Sequence, residues 1–283
     1  MKVISTIEQM LFSTVMIEAA QKDNWAAGTG YVFQYEYKGG PAYFLVTNRH
    51  VVEQCDLGKF MFFCGDGNGQ PILGKAHQFN FDEFAKWWFF HPDPQIDIAV
   101  MALVPAFNQI TQKNIKIYFR CLSESIIPNE QQISEIDAIE DVLFIGYPNG
   151  IFDTHNLLPV ARKGITATPI AIDYENRPHF LIDASVFPGS SGSPVFLYTK
   201  GGWNQKESGA LKLENRLFFL GMISSGYFQE EEGKIEFIEV PTDLRPVYKT
   251  NQMINLGIVI KSSKVIETIK LYITHLEENE SNK

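Results

Sequence analysis

Cysteine is scarce in this chain: Cys55, Cys64 and Cys121 are its only three, widely separated and never as C-x-x-C. That excludes a disulfide framework or a zinc ribbon and fits a reducing compartment. Long apolar runs are also missing, and none approaches the ~20 residues that a membrane span needs. At the N-terminus, Glu8 and Gln9 interrupt what would be the core of a signal peptide, and Glu18 follows the next apolar run, Val15 to Ile17, so no secretory signal is readable. Positive charge is in deficit: 24 Lys and Arg against 33 Asp and Glu leave a formal charge of −9. A chain that tracks nucleic-acid phosphates needs clustered cations, which argues against that class of partner. His77, His91, His155, His179 and His275 fall at no metal-ligand spacing. Asp66-Gly67-Asn68-Gly69-Gln70 opens like a calcium loop, but Pro71 stands at its sixth position and His77 at its twelfth. The expectation is a cytoplasmic protein with no metal, no cofactor, no nucleic acid and no membrane partner.

What the chain does hold is strand signal. Hydrophobic residues make up 45% of the 283, enough for one large domain or two small lobes. Tyr31 to Tyr37 alternates, Lys38-Gly39-Gly40-Pro41 supplies a turn, and Ala42 to Thr47 runs back, a hairpin signature. Ile96 to Val104, Val142 to Gly146, Phe180 to Asp183, Pro194 to Tyr198 and Leu217 to Ser224 also read as strands. Glu230 to Lys234 reads as a hairpin tip before a strand from Ile235 to Val240. Residues 56–95 and 199–216 read as loops or insertions, and 106–138 as a polar connector. Trp87-Trp88-Phe89-Phe90 is expected to pack a loop onto the first lobe, the alternative being an exposed partner-binding patch. Helical spacing is confined to the ends: a short helix over 5–12, and one carrying Val265, Ile266, Ile269, Tyr272, Ile273 and Leu276 on one face, with a frayed polar tail from Glu277. Strands throughout with a helix behind them predict an all-β barrel or sandwich rather than βαβ units.

Three segments carry chemistry in combination. Leu45-Val46-Thr47-Asn48-Arg49-His50-Val51-Val52 is a strand running into a histidine; Asp97-Ile98-Ala99-Val100-Met101 is an acid opening an apolar strand; Pro188-Gly189-Ser190-Ser191-Gly192-Ser193-Pro194 is a tight turn presenting a serine. A serine hydroxyl is a weak nucleophile unless a base within reach takes its proton. Histidine supplies that base, and a carboxylate on its other ring nitrogen fixes the tautomer and stabilises the imidazolium. Glycines beside Ser191 allow a sharp turn whose N–H groups can face a developing oxyanion. Asp93, in His91-Pro92-Asp93-Pro94, is a rival acid; the two prolines mark an exposed turn, and Asp97 is preferred because an apolar strand follows it. An α/β-hydrolase elbow fails, because it needs Gly two residues after the serine and the order Ser, acid, His.

The order His, Asp, Ser and the separations (97 − 50 = 47 and 191 − 97 = 94) resemble those of the trypsin-like serine peptidases of the chymotrypsin fold, about 45 and about 93 in that family's type member. The nearer resemblance is to the bacterial high-temperature-requirement, or Deg-type, branch. Gly28-Thr29-Gly30-Tyr31-Val32 with Thr47-Asn48-Arg49-His50-Val51 looks like its Gly-Ser-Gly and Thr-Asn-x-His-Val segments. Ile182-Asp183-Ala184-Ser185-Val186-Phe187-Pro188-Gly189-Ser190-Ser191-Gly192 looks like its Thr-Asp-Ala-Ala-Ile-Asn-Pro-Gly-Asn-Ser-Gly. Ile145-Gly146-Tyr147-Pro148 and Gly221-Met222-Ile223 are weaker matches, and the similarity spans about 13–260.

The resemblance implies two six-stranded-type β-barrels, a first lobe over 13–108, a connector over 109–138, a second lobe over 139–260, and a C-terminal helix and tail over 261–283. It implies a serine endopeptidase with His50 as general base, Asp97 as orienting acid and Ser191 as nucleophile. The N–H groups of Gly189 and Ser191 would form the oxyanion hole. Ser185 would floor the specificity pocket, and Ser224, Ser225 and Gly226 would form its wall and pair with substrate backbone. A small neutral floor implies a modest apolar preference at P1, the residue before the scissile bond, and not Lys or Arg. Ser193 stands where many members have Gly. Ser190 stands where zymogen-activated members have Asp, so control by loop ordering or by a regulatory protein partner is expected instead. Deg-type relatives usually carry a PDZ module; with 283 − 260 = 23 residues after Ile260, none is expected here. The alternative is a catalytically silent relative that serves as a peptide-binding or scaffold module.

Overall fold

The computed structural model describes residues 1–283 apart from 112, 114, 207, 232–249 and 282–283. The strand expected over Ile235 to Val240 and most of its hairpin tip lie outside the described residues. A short helix α1 (Thr6–Met10) opens the chain. Its cap is reciprocal: Ser5 Oγ accepts the Glu8 N–H at 3.2 Å, and Glu8 Oε2 accepts the Ser5 N–H at 2.8 Å.

The first sheet contains β1 (Thr14–Gln21), β2 (Asn24–Tyr37), β3 (Gly40–Thr47), β4 (Leu57–Gly65), β5 (Pro71–Asp82), β6 (Phe89–Phe90) and β7 (Ala99–Ala102), in spatial order β5-β4-β1-β2-β3-β7-β6. The short β8 (Ile117–Tyr118) joins β4, and β9 (Leu122–Ser123) runs parallel to β2, so the expected connector is tied to this sheet. Between β3 and β4 lies a single helical turn, α2 (Arg49–Val52); after β7 comes α3 (Val104–Thr111) and, later, α4 (Glu130–Glu135). The second unit is a closed six-stranded barrel of β10 (Asp141–Gly146), β11 (Val160–Thr166), β12 (His179–Asp183), β13 (Pro194–Thr199), β16 (Arg216–Glu231) and β17 (Thr250–Lys261). The pair β14 (Trp203–Asn204) and β15 (Leu211–Lys212) forms a small side hairpin, and α5 (Ser262–Ser281) closes the chain. The fold is mostly β and chymotrypsin-like. Among the described residues no helix is long and apolar enough to cross a membrane.

Strand periodicity explains how three cores share these residues. Successive side chains leave a strand on opposite faces. Val32, Leu45, Ala99 and Met101 enter a first core with Ile17, Phe60, Phe62, Phe79 and Phe81. Their sequence neighbours Tyr31, Phe33, Phe44, Val46 and Val100 point the other way, into a second core. That second core also takes Ile145, Phe196, Phe219, Met222 and Ile260 from the closed barrel, and Val265 and Ile269 from α5. The barrel interior is a third core around Phe144, Phe180, Ile182, Val195, Leu197 and Val259. Strands buried on both faces read as unbroken apolar runs, as Ala42 to Thr47 does.

Four sequence expectations need correction. Residues 57–82 are not a loop but the hairpin β4–β5, whose Phe60, Phe62, Phe79 and Phe81 alternate into the first core. The strand expected over Ile96 to Val104 is confined to Ala99–Ala102, because His91 to Ile98 folds into a turn and α3 starts at Val104. The polar tail stays helical through Ser281, and Glu277 accepts a hydrogen bond from the Tyr37 hydroxyl at 2.9 Å. The first sheet is an open path between β5 and β6, while the second unit is the closed barrel. The 87–90 cluster is split: Trp88 is buried in the first core, Phe89 stacks on Tyr272 of α5 with centroids 5.1 Å apart, and Trp87 stays exposed.

Candidate active site

His50 lies in α2, where β3 ends and Asn48 starts the helical turn. Asn48 Nδ2 donates to the Asp97 carbonyl at 2.7 Å, drawing the segment before β7 against α2. The Asp97 carboxylate then holds His50 twice: Oδ2 lies 2.7 Å from His50 Nδ1, and Oδ1 accepts the His50 backbone N–H at 3.0 Å. A carboxylate only accepts, so this pairing places the ring proton on Nδ1 and leaves Nε2 as the acceptor of a neutral imidazole. Asp93 takes no part in this pairing; its Oδ1 accepts the Gln95 N–H at 2.9 Å within the expected turn.

Ser191 sits on a turn fixed from several sides. The Ser190 N–H donates to Phe187 O at 2.9 Å, and the Ser193 N–H to Ser190 O at 3.0 Å. The Gly192 N–H reaches Ile223 O at 2.8 Å, and the Ile223 N–H reaches Ser193 O at 2.9 Å, which stitches the turn to β16. Gly192 has φ +86°, and a Cβ there would lie 1.9 Å from Thr29 O, so both backbone and space demand glycine. Gly189, at φ +84°, is also closely held: a Cβ would meet Tyr147 O at 2.5 Å. The Pro188 carbonyl accepts the Asn149 N–H at 2.5 Å. A trans peptide sets C=O and N–H on opposite sides, so the Gly189 N–H is directed away from Asn149. Beneath the turn, the buried Ser190 hydroxyl accepts from Phe187 N (3.3 Å) and Arg162 Nη1 (3.4 Å). The Arg162 guanidinium lies over the rings of Phe144 and Phe187, at 4.8 and 5.1 Å from their centroids. Burial lowers its proton affinity relative to ordinary arginine.

Ser224 connects the two halves. Its hydroxyl donates to Asp97 Oδ2 at 2.8 Å, and its carbonyl accepts the Ser191 hydroxyl at 3.2 Å. A hydroxyl has one proton, so in this arrangement the Ser191 proton faces Ser224 rather than the imidazole. Sequence reasoning assigned Ser224 to the pocket wall; its side chain also belongs to the carboxylate's shell.

His50 and Ser191 both line two adjoining cavities. One, of about 750 Å³, is bounded by Asp97, Val186, Phe187, Ser224, Ser225 and Gly226; the other, of about 520 Å³, by Ala26, Gln54, Cys55, Pro188 and Gly189. Thus the structure brings His50, Asp97, Ser191, Gly189, Ser224, Ser225 and Gly226 to one cleft. Ser185 does not line it. Val186 does, and its side chain fills the space beside the wall: a Cβ on Gly257 would lie 2.5 Å from Val186 Cγ2, and one on Gly226 would lie 3.5 Å from Val186 Cβ. Sequence reasoning also missed Asn48, although its motif was in view, because what Asn48 does depends on a contact 49 residues away.

The sequence profile described as trypsin-like peptidase domain matches residues 28–202. The chain belongs to this family. Solved structures similar to this trypsin-like peptidase domain include Rv3671c from M. tuberculosis H37Rv in an inactive form, at 15% identity and a TM-score of 0.46, covering 92% of this chain and 87% of that one. The HtrA-type protease AlgW with a tripeptide matches at 15% identity and TM-score 0.48, covering 95% of this chain and 62% of its own length. The serine endoprotease from Yersinia pestis matches at 16% identity and TM-score 0.45, covering 96% of this chain and 68% of its own. Among curated protein sequences none is recognisably similar.

Proposed function

We propose that the chain is a serine endopeptidase that cleaves protein or peptide substrates through an acyl-enzyme. The observation that carries this reading is the double hold of the Asp97 carboxylate on His50, which leaves Nε2 free at the cleft lined by Ser191. In the reaction, Ser191 Oγ attacks the scissile carbonyl carbon while its proton passes to His50 Nε2. The carbonyl oxygen takes the negative charge, facing the N–H groups of Gly189 and Ser191. Collapse breaks the C–N bond, His50 returns the proton to the leaving amine, and water repeats the sequence on the ester. The lobe over 13–108 brings His50 and Asp97; the lobe over 139–260 brings Ser191 and the oxyanion turn.

The direction of the Pro188–Gly189 peptide supports a hole whose donors are already set. The Ser191 hydroxyl, which donates to Ser224 O, has to turn its proton toward His50 before attack, and a substrate or regulatory partner that favours this turn would gate the enzyme. That same hydrogen bond is the observation behind a second reading, a silent peptide-binding module. For specificity, Val186 replaces the proposed Ser185 floor as the residue that limits depth, which supports a preference for small apolar P1 residues.

A fluorophosphonate probe tests the reading. Wild-type protein is expected to label, alone or after addition of cell extract, and Ser191→Ala to abolish labelling. Asp97→Asn is expected to slow turnover by roughly 10⁴-fold with the fold intact. Labelling that persists in Ser191→Ala would place the nucleophile elsewhere; wild-type protein that never labels favours the silent module.

A further inference from the structure

Thr29 lies on β2 of the first sheet, is wholly buried, has a partner for every polar atom, and reaches the Ser191 turn with both its N–H and its hydroxyl. Its N–H donates to Ser191 O at 2.9 Å, and its carbonyl accepts the Thr47 hydroxyl at 2.7 Å. Its hydroxyl donates to Gly189 O at 2.8 Å and accepts the Tyr147 N–H at 3.0 Å. One side chain from the first sheet therefore bridges two separate loops of the closed barrel. The peptide before Gly189 is held by Asn149, as described above, and the peptide after it by Thr29. Space is kept for this hydroxyl: a Cβ on Gly146 would lie 2.6 Å from Thr29 Oγ1.

We propose that Thr29 is a positioning residue, whose hydroxyl fixes the orientation of the oxyanion turn from the opposite side of the cleft. This rests on the reading of Ser191 as the nucleophile. A turn built around a glycine at φ +84° has other backbone orientations open to it, so the hydrogen bonds on either side of Gly189 are what select this one. Thr29 touches neither substrate nor the reacting atoms; it acts through Gly189. Removing its hydroxyl without changing its shape would strand the Gly189 carbonyl and the Tyr147 N–H in a buried place, and the turn would reorient to recover partners.

The test is the concentration dependence of fluorophosphonate labelling in full-length wild type, Thr29→Val and Thr29→Ser. Thr29→Val is expected to lower the maximal rate kinact by about 10- to 100-fold while KI stays within about twofold, because the loss falls on the developing oxyanion. The pH midpoint of labelling should not move, since the His50–Asp97 pair is untouched. Thr29→Ser keeps the hydroxyl and is expected to recover most of the rate. If Thr29→Val does not fold, Thr29→Ala serves, with a rate between those of wild type and Thr29→Ser on one side and complete loss on the other. A merely structural cross-link would lower thermal stability and leave kinact of the folded fraction unchanged. That result, or a loss confined to KI, overturns the proposal. Wild-type protein that does not label overturns the nucleophile assignment and this inference together; wild type and valine variant labelling at equal rates overturns this inference alone.

Discussion

On the proposed reading of the cleft, Val186, which lines it, is the residue that limits how deep a side chain can enter. Its Cγ2 would lie 2.5 Å from a Cβ on Gly257 and its Cβ 3.5 Å from one on Gly226, so it fills the space beside both glycines. Replacing it by glycine is expected to move cleavage in a peptide library from small apolar P1 residues toward Leu, Met or Phe by at least about 10-fold, the scale on which methylene-sized changes in an apolar pocket discriminate. An unchanged profile would reject Val186 as the limiting wall, and a preference for Lys or Arg in the wild type would contradict the pocket altogether. At this scale the sequence was legible where a residue's chemistry is local. His50, Asp97 and Ser191 each stand at the end of an element with a strong local signature. Val186 and Thr29 were quoted in the same motifs, yet their contacts come from residues about seventy and a hundred and more positions away, and spacing alone carries no record of that.

Strand β12 shows how an element sets a titration. His179 pairs in register with Ile260, is buried, and among the described residues its Nε2 has no partner. Burial lowers its proton affinity, with Arg177 and Lys261 acting in the same direction and Asp173 and Asp97 partly opposing them. The unfolded chain takes up that proton near pH 6.5 while the folded chain resists it, so stability falls as pH drops below about 6.5 and levels off only below the folded value. Thermal midpoints measured between pH 7 and 5.5 should therefore decline, and His179→Gln should flatten the decline; an identical slope in the variant would show that His179 is not its source. The elements themselves were legible in part. Continuous apolar runs announced β3, β10, β12 and β13, and in β3, β10 and β13 the run is unbroken because alternate residues feed two cores. The hairpin β4–β5 read as a loop because Gly65 to Gly69 dominated the local signal, although the phenylalanine alternation on either side carried the strand period. The limits of β7 were overrun because an apolar run does not reveal where a turn or helix takes it over.

At the scale of the whole molecule, the second core belongs to neither half. Tyr31, Phe33 and Val46 of the first sheet pack with Phe196, Phe219 and Met222 of the barrel, and Val265 and Ile269 of α5 close it. Tyr31 and Phe219 meet edge to face at 5.4 Å between centroids. Thermal unfolding is expected as one cooperative transition, with equal calorimetric and van't Hoff enthalpies. Two resolved transitions would show that the halves stand independently. His50 comes from the first sheet and Ser191 from the barrel, so a core shared by both holds the elements that carry them together.

One consequence follows for dissection of the chain. Severed within the segment that joins β7 to β10, each fragment would leave its share of this oily seam facing water, and neither would hold its native shape alone. Mixed together, the two would have the same reason to reunite as the intact polypeptide has to fold.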